Sequence, residues 1–565
     1  MTTMKRKLVC VAIASALAFA ATGAIAQAEQ PQPGGKLEIG TVYPSLSALS
    51  WDTADWNWKQ NHDTGQVYEQ LFTADLSKSK KNGGPYPFVA DAWLPSEAIA
   101  GELAESWNWT DPLTLEIKLR QGVKFPAREG VMDERELVAE DVVFTYNRQN
   151  TSPKKIATYF DHIDQVTATD KHTVVFKFKE YNAEWDYRFG WGYYSGIVPK
   201  EVADAGAGNW KNVNGSGPFR LTDFVQGNSN IYTKNPIYWG TEEISGKEYK
   251  LPLVDQIVFR TIRDEATQHS ALRTGKLDIL EAVRWQAVEE LKKSAPDLKW
   301  NRWLSTTGEY LALRVDTKPF DDVRVRRALN MAIDKRAIVK QFYDGHAELF
   351  AYPQHPEFTD YYEPLESMPK EVQELFVYDP KKAKALLAEA GYPKGFSFTA
   401  QVCSCNPSHM EILPLMSAYL EQIGVKMEIQ PLEYGAFLSG MTSKKHAPGY
   451  YMGNGHTNPT TTLRKTFMSG QTWNASVYSD ESFDKRIEEM LVERDEEVRK
   501  GQIRELTREI VEKAPVIWMP TPYVYSAWWP WVKNYEGELR AGAVRPGPIY
   551  ARIWIDQDLK KKLGY

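Results

Sequence analysis

Among 565 residues there are only three cysteines, Cys10, Cys403 and Cys405. A structural zinc site needs four ligands at set spacings, and the third and fourth are missing here, which argues against a cysteine metal centre. Cys403-Ser404-Cys405 leaves two readings open: an oxidising compartment favours a disulfide, while the tight ring of a C-x-C bridge disfavours it. Beyond the N-terminus no apolar run reaches the ~18 residues that span a bilayer. Positive charge is not in excess, since 68 Lys and Arg stand against 74 Asp and Glu for a formal net charge of −6. That balance argues against nucleic acid or anionic lipid as a partner. The motifs G-x-S-x-G, H-E-x-x-H, the Walker loop and G-x-G-x-x-G are all absent. "SPKK" (Ser152–Lys155) has the S-x-x-K spacing, but no S-D-N or K-T-G accompanies it and Pro153 marks a turn. The nine histidines show no metal-ligand spacing. Catalysis, cofactors and metals therefore have no positive support.

What is present begins with Lys5-Arg6-Lys7, an apolar run from Leu8 to Ile25, and then small residues. This is the pattern of a cleaved secretory signal peptide, residues 1–26, with cleavage after Ala28 fitting equally well. Removing Lys5, Arg6 and Lys7 takes the formal charge from −6 to −9. The expected product is exported, soluble and periplasmic. At about 540 residues it is too long for one core, so two or three domains are expected. Aromatics are abundant, with 19 Trp, 29 Tyr and 22 Phe. Clusters such as "WDTADWNW" (51–58) and "RFGWGYYSG" (188–196) lie among polar and glycine residues, where a ligand cleft competes with core packing as the explanation.

Patterning predicts mixed structure. "KLEIGTVYP" alternates as a strand, and "LAESWNWTDPLTLEIKLRQGVKF" reads as a hairpin with Leu113, Leu115, Ile117 and Leu119 on one face and Asp111-Pro112 in the turn. A helix at "AEDVVFTYNRQ" and a strand pair at "IDQVTATDKHTVVFKFKE" follow. From Asp321 helices and strands alternate. "YDPKKAKALLAEAGYP" carries Asp379 as N-cap, Pro380 at N1 and Gly391 past the end. The strands "FSFTAQV" and "VKMEIQ", joined by a helix over Glu411–Ile423, predict an α/β lobe with parallel strands. A long helix is expected from about Glu481 to Glu512, broken near Lys500-Gly501, with its charges forming a solvated face. "GYYMGNGHTNPTTTL" (449–463) reads as a polar, glycine-rich loop.

Four blocks, in order, carry a resemblance. They are 103–125 with "AEDVVFTYNR" (139–148), "NGSGPFRLTDFVQGNSNIYTKNPIYWG" (214–240), "VDQIVFRTIRDEATQHSALRTGKLDIL" (254–280) and "KPFDDVRVRRALNMAIDKRAIV" (318–339). Together they resemble the family-5 solute-binding proteins, receptors of peptide-type ABC importers. The resemblance implies an α/β, two-lobe "Venus flytrap" of the large, cluster-C type with an accessory subdomain. It implies lobe I from 30–75, 213–305 and 525–565, the accessory subdomain at 76–212, and lobe II at 306–524. It also implies a monomer with no turnover, whose partners are a small-molecule ligand and the cognate ABC permease of the inner membrane. One departure is local: "FPAREGVMDERELVAEDV" is longer than the usual passage, and Val138 replaces the capping Thr.

In peptide-binding members the loop aligned with 449–463 ends in an Asp before Pro that receives the ligand's ammonium group. Here that position is Asn458, a neutral group, and an ammonium buried without counter-charge is costly. A neutral polyol, an acylated or cyclised peptide, or an opine-like ligand is expected instead. The candidate binding residues are Asn454, His456, Asn458 and Asn474 for neutral hydrogen bonds, with Tyr43, Trp51, Trp191, Tyr193 and Trp473 for stacking faces. An oligosaccharide receptor, an exported chaperone or sensory subunit, and a hydrolase on this scaffold are the alternatives.

Overall fold

The structure is a computed structural model that describes residues 30–41, 50–55, 63–90, 93–156, 159–455 and 458–565. Three sheets organise it. The largest has eight strands, with Phe219–Val225, Ser229–Lys234, Gln256–Thr261, Lys36–Thr41, Ile279–Arg284, Thr521–Trp528 and Lys299–Leu304 as neighbours in that order. Its central strand Lys36–Thr41 runs parallel to both partners, and the remaining pairs are antiparallel. Leu37 and Ile39 are fully buried, as expected of a central strand covered on its faces.

The second sheet orders Val425–Leu432, Phe396–Cys403, Gly449–Gly455, Thr307–Leu313 and Val516–Trp518. The two strands expected to be parallel are parallel, in register from Phe396↔Val425 to Cys403↔Leu432. Asp379 caps Pro380–Glu389 by accepting from the Lys382 N–H at 2.9 Å, and Gly391 takes φ +93° just past its end. The chain passes from the first sheet to the second between Leu304 and Thr307, and returns between Trp518 and Thr521. That return falls a few residues before the expected boundary at 525. The short strand Ala347–Glu348 also reaches across to pair with Thr521–Trp528.

The accessory subdomain holds the antiparallel meander Ala104–Asp111, Thr114–Leu119, Thr173–Phe178 and Ile163–Asp170. Leu115, Ile117 and Leu119 point into its core, whereas Leu113 sits in the turn and is exposed. Val138 leaves helix Ala139–Asn150 without a side-chain cap, and Asp141 compensates by accepting from the Val138 N–H at 2.9 Å. Arg135 holds that carboxylate through two hydrogen bonds.

Two readings are corrected. The expected loop 449–463 is mostly regular: Gly449–Gly455 is a strand inside the second sheet and Pro459–Phe467 is a helix. Gly449 and Gly453 pack closely, because a Cβ on Gly453 would stand 2.2 Å from Thr307 Cγ2, and one on Gly449 2.8 Å from the Phe398 ring. The break in the long helix lies at Glu493–Asp495 and not at Lys500-Gly501, because Asp495 caps the second segment, Glu496–Lys513. Cys403 and Cys405 form a disulfide.

Candidate ligand-binding site

Two stretches of the accessory subdomain, residues 93–97 and 183–191, meet three stretches of the second lobe, residues 359–361, 458–460 and 496–500. Between them lies a cavity of about 100 Å³. The accessory-subdomain wall is held by aromatic packing: Tyr187–Trp191 is one turn of π-helix, buried, and Gly190 lies flush against the Phe72 ring. Asp186 precedes that turn and accepts from the Tyr187 N–H at 2.8 Å and from the Trp191 indole N–H at 3.2 Å.

The second-lobe wall is organised by helix starts. Asn458 Oδ1 accepts from the Thr461 N–H at 2.8 Å and from the Thr460 hydroxyl at 2.7 Å, as an N-cap does. The oxygen is thereby committed to the helix, and the group left for a ligand is the amide donor. Asp495 starts helix Glu496–Lys513, which brings Arg499 and Lys500 to the cavity. Lys500 is shared among Asp360 at 3.3 Å, Glu497 at 2.8 Å and Glu496 at 3.7 Å.

Beside the cavity a buried ionic cluster joins the accessory subdomain to the second lobe. Glu184 is fully buried and pairs with Arg188 of its own side at 2.7 Å and with Arg464 of the second lobe at 3.1 Å. It also accepts from the Thr461 hydroxyl at 2.5 Å and lies 3.0 Å from the Thr460 hydroxyl, whose one proton it shares with Asn458. Burial pushes this carboxyl up, but Arg464, Arg188 and the Thr461 hydroxyl outweigh it and hold it well below the usual carboxylate range. The Ala183 N–H donates to the Leu491 carbonyl at 2.7 Å. Arg494 lies over the Tyr181 ring, 4.1 Å from its centre.

Of the nine residues proposed from sequence, the cavity brings together Trp191 and Asn458. Tyr43 and His456 lie outside the described residues. Trp51 is buried edge-on against Phe224, with ring centres 5.0 Å apart. Tyr193 is half-buried near Tyr187. Asn454 is buried within the second lobe, donating to Tyr310 at 3.2 Å and Thr466 at 3.0 Å. Asn474 organises its own loop through the Tyr478 carbonyl at 2.8 Å and N–H at 3.1 Å, and Trp473 packs half-buried against the second-lobe core. Sequence reasoning missed Asp186, Thr460, Glu496, Arg499 and Lys500. Arg499 was legible, because 499, 503, 506 and 510 form one helical stripe whose other members are buried Ile503, Leu506 and Ile510.

A chain that crosses twice between two sheets, with a polar cavity between its accessory subdomain and the second lobe, has the architecture of a two-lobe binding protein. It belongs to the bacterial extracellular solute-binding proteins of family 5, whose middle-region model matches residues 98–475, more than half of the chain. Among curated relatives, heme-binding protein A of Haemophilus influenzae is 28% identical over 472 residues, covering 78% of this chain and 82% of the relative. The dipeptide-binding protein of Escherichia coli is 27% identical over 401 residues, covering 67% and 71%. Among solved structures, the ABC transporter-associated periplasmic binding protein DppA of Helicobacter pylori, in complex with the peptide STSA, superposes with a TM-score of 0.74 at 25% identity. That match covers 93% of this chain and 99% of the other.

Proposed function

We propose that this solute-binding protein is the periplasmic receptor of a peptide-type ABC importer, capturing a peptide-like or other small organic solute between its lobes and delivering it to an inner-membrane permease. One observation carries the reading: a polar cavity lined by the accessory subdomain and the second lobe, in a chain whose two sheets are joined by crossings near residues 305 and 520. A solute touching both walls stabilises the closed form by its differential affinity. The names of the relatives support a small-ligand receptor, and the N-terminal pattern supports export. Native mass spectrometry of protein purified without refolding tests the proposal. A retained small molecule is the expected result; a mass equal to the bare chain after purification from every growth medium tried would contradict it.

A further inference from the structure

We infer that Arg128 and Arg220, whose guanidinium groups cross where the accessory subdomain meets the largest sheet, form a binding site for a phosphate-type oxyanion. Neither residue lines the solute cavity, so the site is a second one and goes beyond the receptor reading.

Each arginine is placed by its backbone. Arg128 stands on a tight turn: its N–H donates to the Met132 carbonyl at 2.8 Å, its carbonyl accepts from the Met132 N–H at 3.0 Å, and Gly130 between them takes φ +72°. This turn belongs to the passage 125–142 that is longer than its counterpart in the family pattern. Asn214 pins its approach by donating to the Pro126 carbonyl at 2.7 Å. Arg220 is the second residue of strand Phe219–Val225, opposite Thr233. The two side chains then pass each other. Arg128 donates to the carbonyl of Leu221, the neighbour of Arg220, at 3.0 Å, and Arg220 donates to that of Ala127, the neighbour of Arg128, at 2.8 Å. Arg128 also donates to the Lys211 carbonyl at 2.8 Å.

Every one of these acceptors is a neutral carbonyl. No Asp or Glu among the described residues pairs with either guanidinium, whereas Arg135 in the same passage holds both Asp141 and Glu201. Glu129, next in sequence to Arg128, is exposed. A guanidinium has five N–H donors, so most of the donors of both arginines are uncommitted. One of them, the Arg220 Nε, is buried and has no partner among the described residues. Both side chains are half-buried. Burial lowers the pKa of both, and the like charge of Arg220 lowers that of Arg128 further, with Tyr68 opposing. Two like charges drawn partly out of water onto neutral acceptors repel one another, and an anion between them removes that cost.

The geometry also selects the anion. Each planar guanidinium presents a fork that matches two oxygens of a carboxylate or phosphate. A carboxylate has one such pair of oxygens and can satisfy one fork. A tetrahedral oxyanion has several and can meet both, which ties the long passage to the sheet.

The test uses the full mature chain purified without refolding, wild type beside R128Q, R220Q and the charge-keeping R128K and R220K. Calorimetry in a chloride buffer of fixed ionic strength titrates inorganic phosphate and, separately, acetate. Phosphate is also a generally stabilising salt, so a raised melting temperature alone decides nothing. Wild type should bind phosphate at least roughly tenfold tighter than acetate, and R128Q and R220Q should each bind phosphate at least roughly tenfold more weakly than wild type, the scale of one lost charge-assisted hydrogen bond. The two Lys variants should lose less, and they carry the comparison if a Gln variant does not fold. Sedimentation with phosphatidylglycerol vesicles, against phosphatidylcholine, separates the sources: wild type carried down while R128Q and R220Q stay in solution assigns the phosphate to a lipid headgroup, and no sedimentation assigns it to a soluble anion. No phosphate binding by wild type to either source, equal affinity for acetate, or equal phosphate affinity in wild type and all four variants would overturn the site. Native mass spectrometry of the same samples should find any retained solute unchanged across the variants, so a failure here leaves the receptor reading standing.

Discussion

Arg464→Met removes the second-lobe arm of the buried ionic cluster and leaves the accessory-subdomain arm in place. Glu184 keeps Arg188 at 2.7 Å and the Thr460 and Thr461 hydroxyls, so its charge is not stranded. The loss is therefore smaller than the ~3–5 kcal/mol of a fully broken buried pair. A single hydrogen bond to a charged group, about 1.5–3 kcal/mol, is the better measure. With Arg464 95% buried and contacting Glu184 through both its Nε and a terminal nitrogen, about 2–3 kcal/mol is expected. If Arg464 parts from Glu184 and meets water when the lobes open, the penalty falls on the closed form alone. For a receptor that is open when empty, that penalty appears in full as lost affinity, about 30- to 150-fold at 1.36 kcal/mol per decade. Calorimetry with the solute identified by mass spectrometry measures it, and dissociation should speed up by a similar factor. Affinity within threefold of wild type, together with an unchanged scattering curve of the empty protein, would refute the idea that this cluster holds the lobes shut.

Three further outcomes are expected. Asn458→Ala should cost about 1 kcal/mol of stability through the lost cap and weaken solute binding by about 1–2 kcal/mol; affinity equal to wild type in calorimetry would leave Asn458 a cap alone. Gly453→Ala should destabilise by about 1–3 kcal/mol in denaturant titration, because its Cβ meets Thr307 Cγ2 at 2.2 Å; adding Thr307→Ser should recover much of the loss, and no recovery would place the clash elsewhere. Burial and the neighbouring Glu102 raise the fully buried Glu69 to about 8, so the folded form keeps a proton that the unfolded chain releases above about 4.5. Stability from this group is full at low pH and is lost as pH rises through about 8, at up to ~1.4 kcal/mol per pH unit. Thermal melts from pH 6 to 8 should therefore fall more steeply for wild type than for Glu69→Gln, and parallel curves would contradict the shift.

Much of the fold was legible because local signals agreed with the tertiary result. Alternation in "FSFTAQV" and "VKMEIQ", separated by a helix, led to a parallel pair, and Asp379-Pro380 with Gly391 bracketed a helix. The same signal was overlooked elsewhere: Asn406-Pro407 starts a helix several residues before Glu411, and Asn458-Pro459 starts another inside the stretch read as a loop. Glycines misled there, since in Gly449–Gly455 they mark tight sheet packing, which a sequence does not distinguish from a turn. The site was harder to read for a physical reason. Its charges come from segments as far apart as 97, 186, 360 and 499, and only the fold decides which acids find a lysine or arginine. Asp186 and Glu184 look alike in "AEWDYR", yet Glu184 has two arginines and Asp186 has none.

Small-angle scattering on the solute-stripped protein, before and after reloading with the solute it retains from its host, tests the closure account most directly. The radius of gyration should fall on reloading, as the lobes pivot near residues 305 and 520 and the Glu184–Arg464 contact forms. An unchanged radius at confirmed saturation would contradict capture by lobe closure.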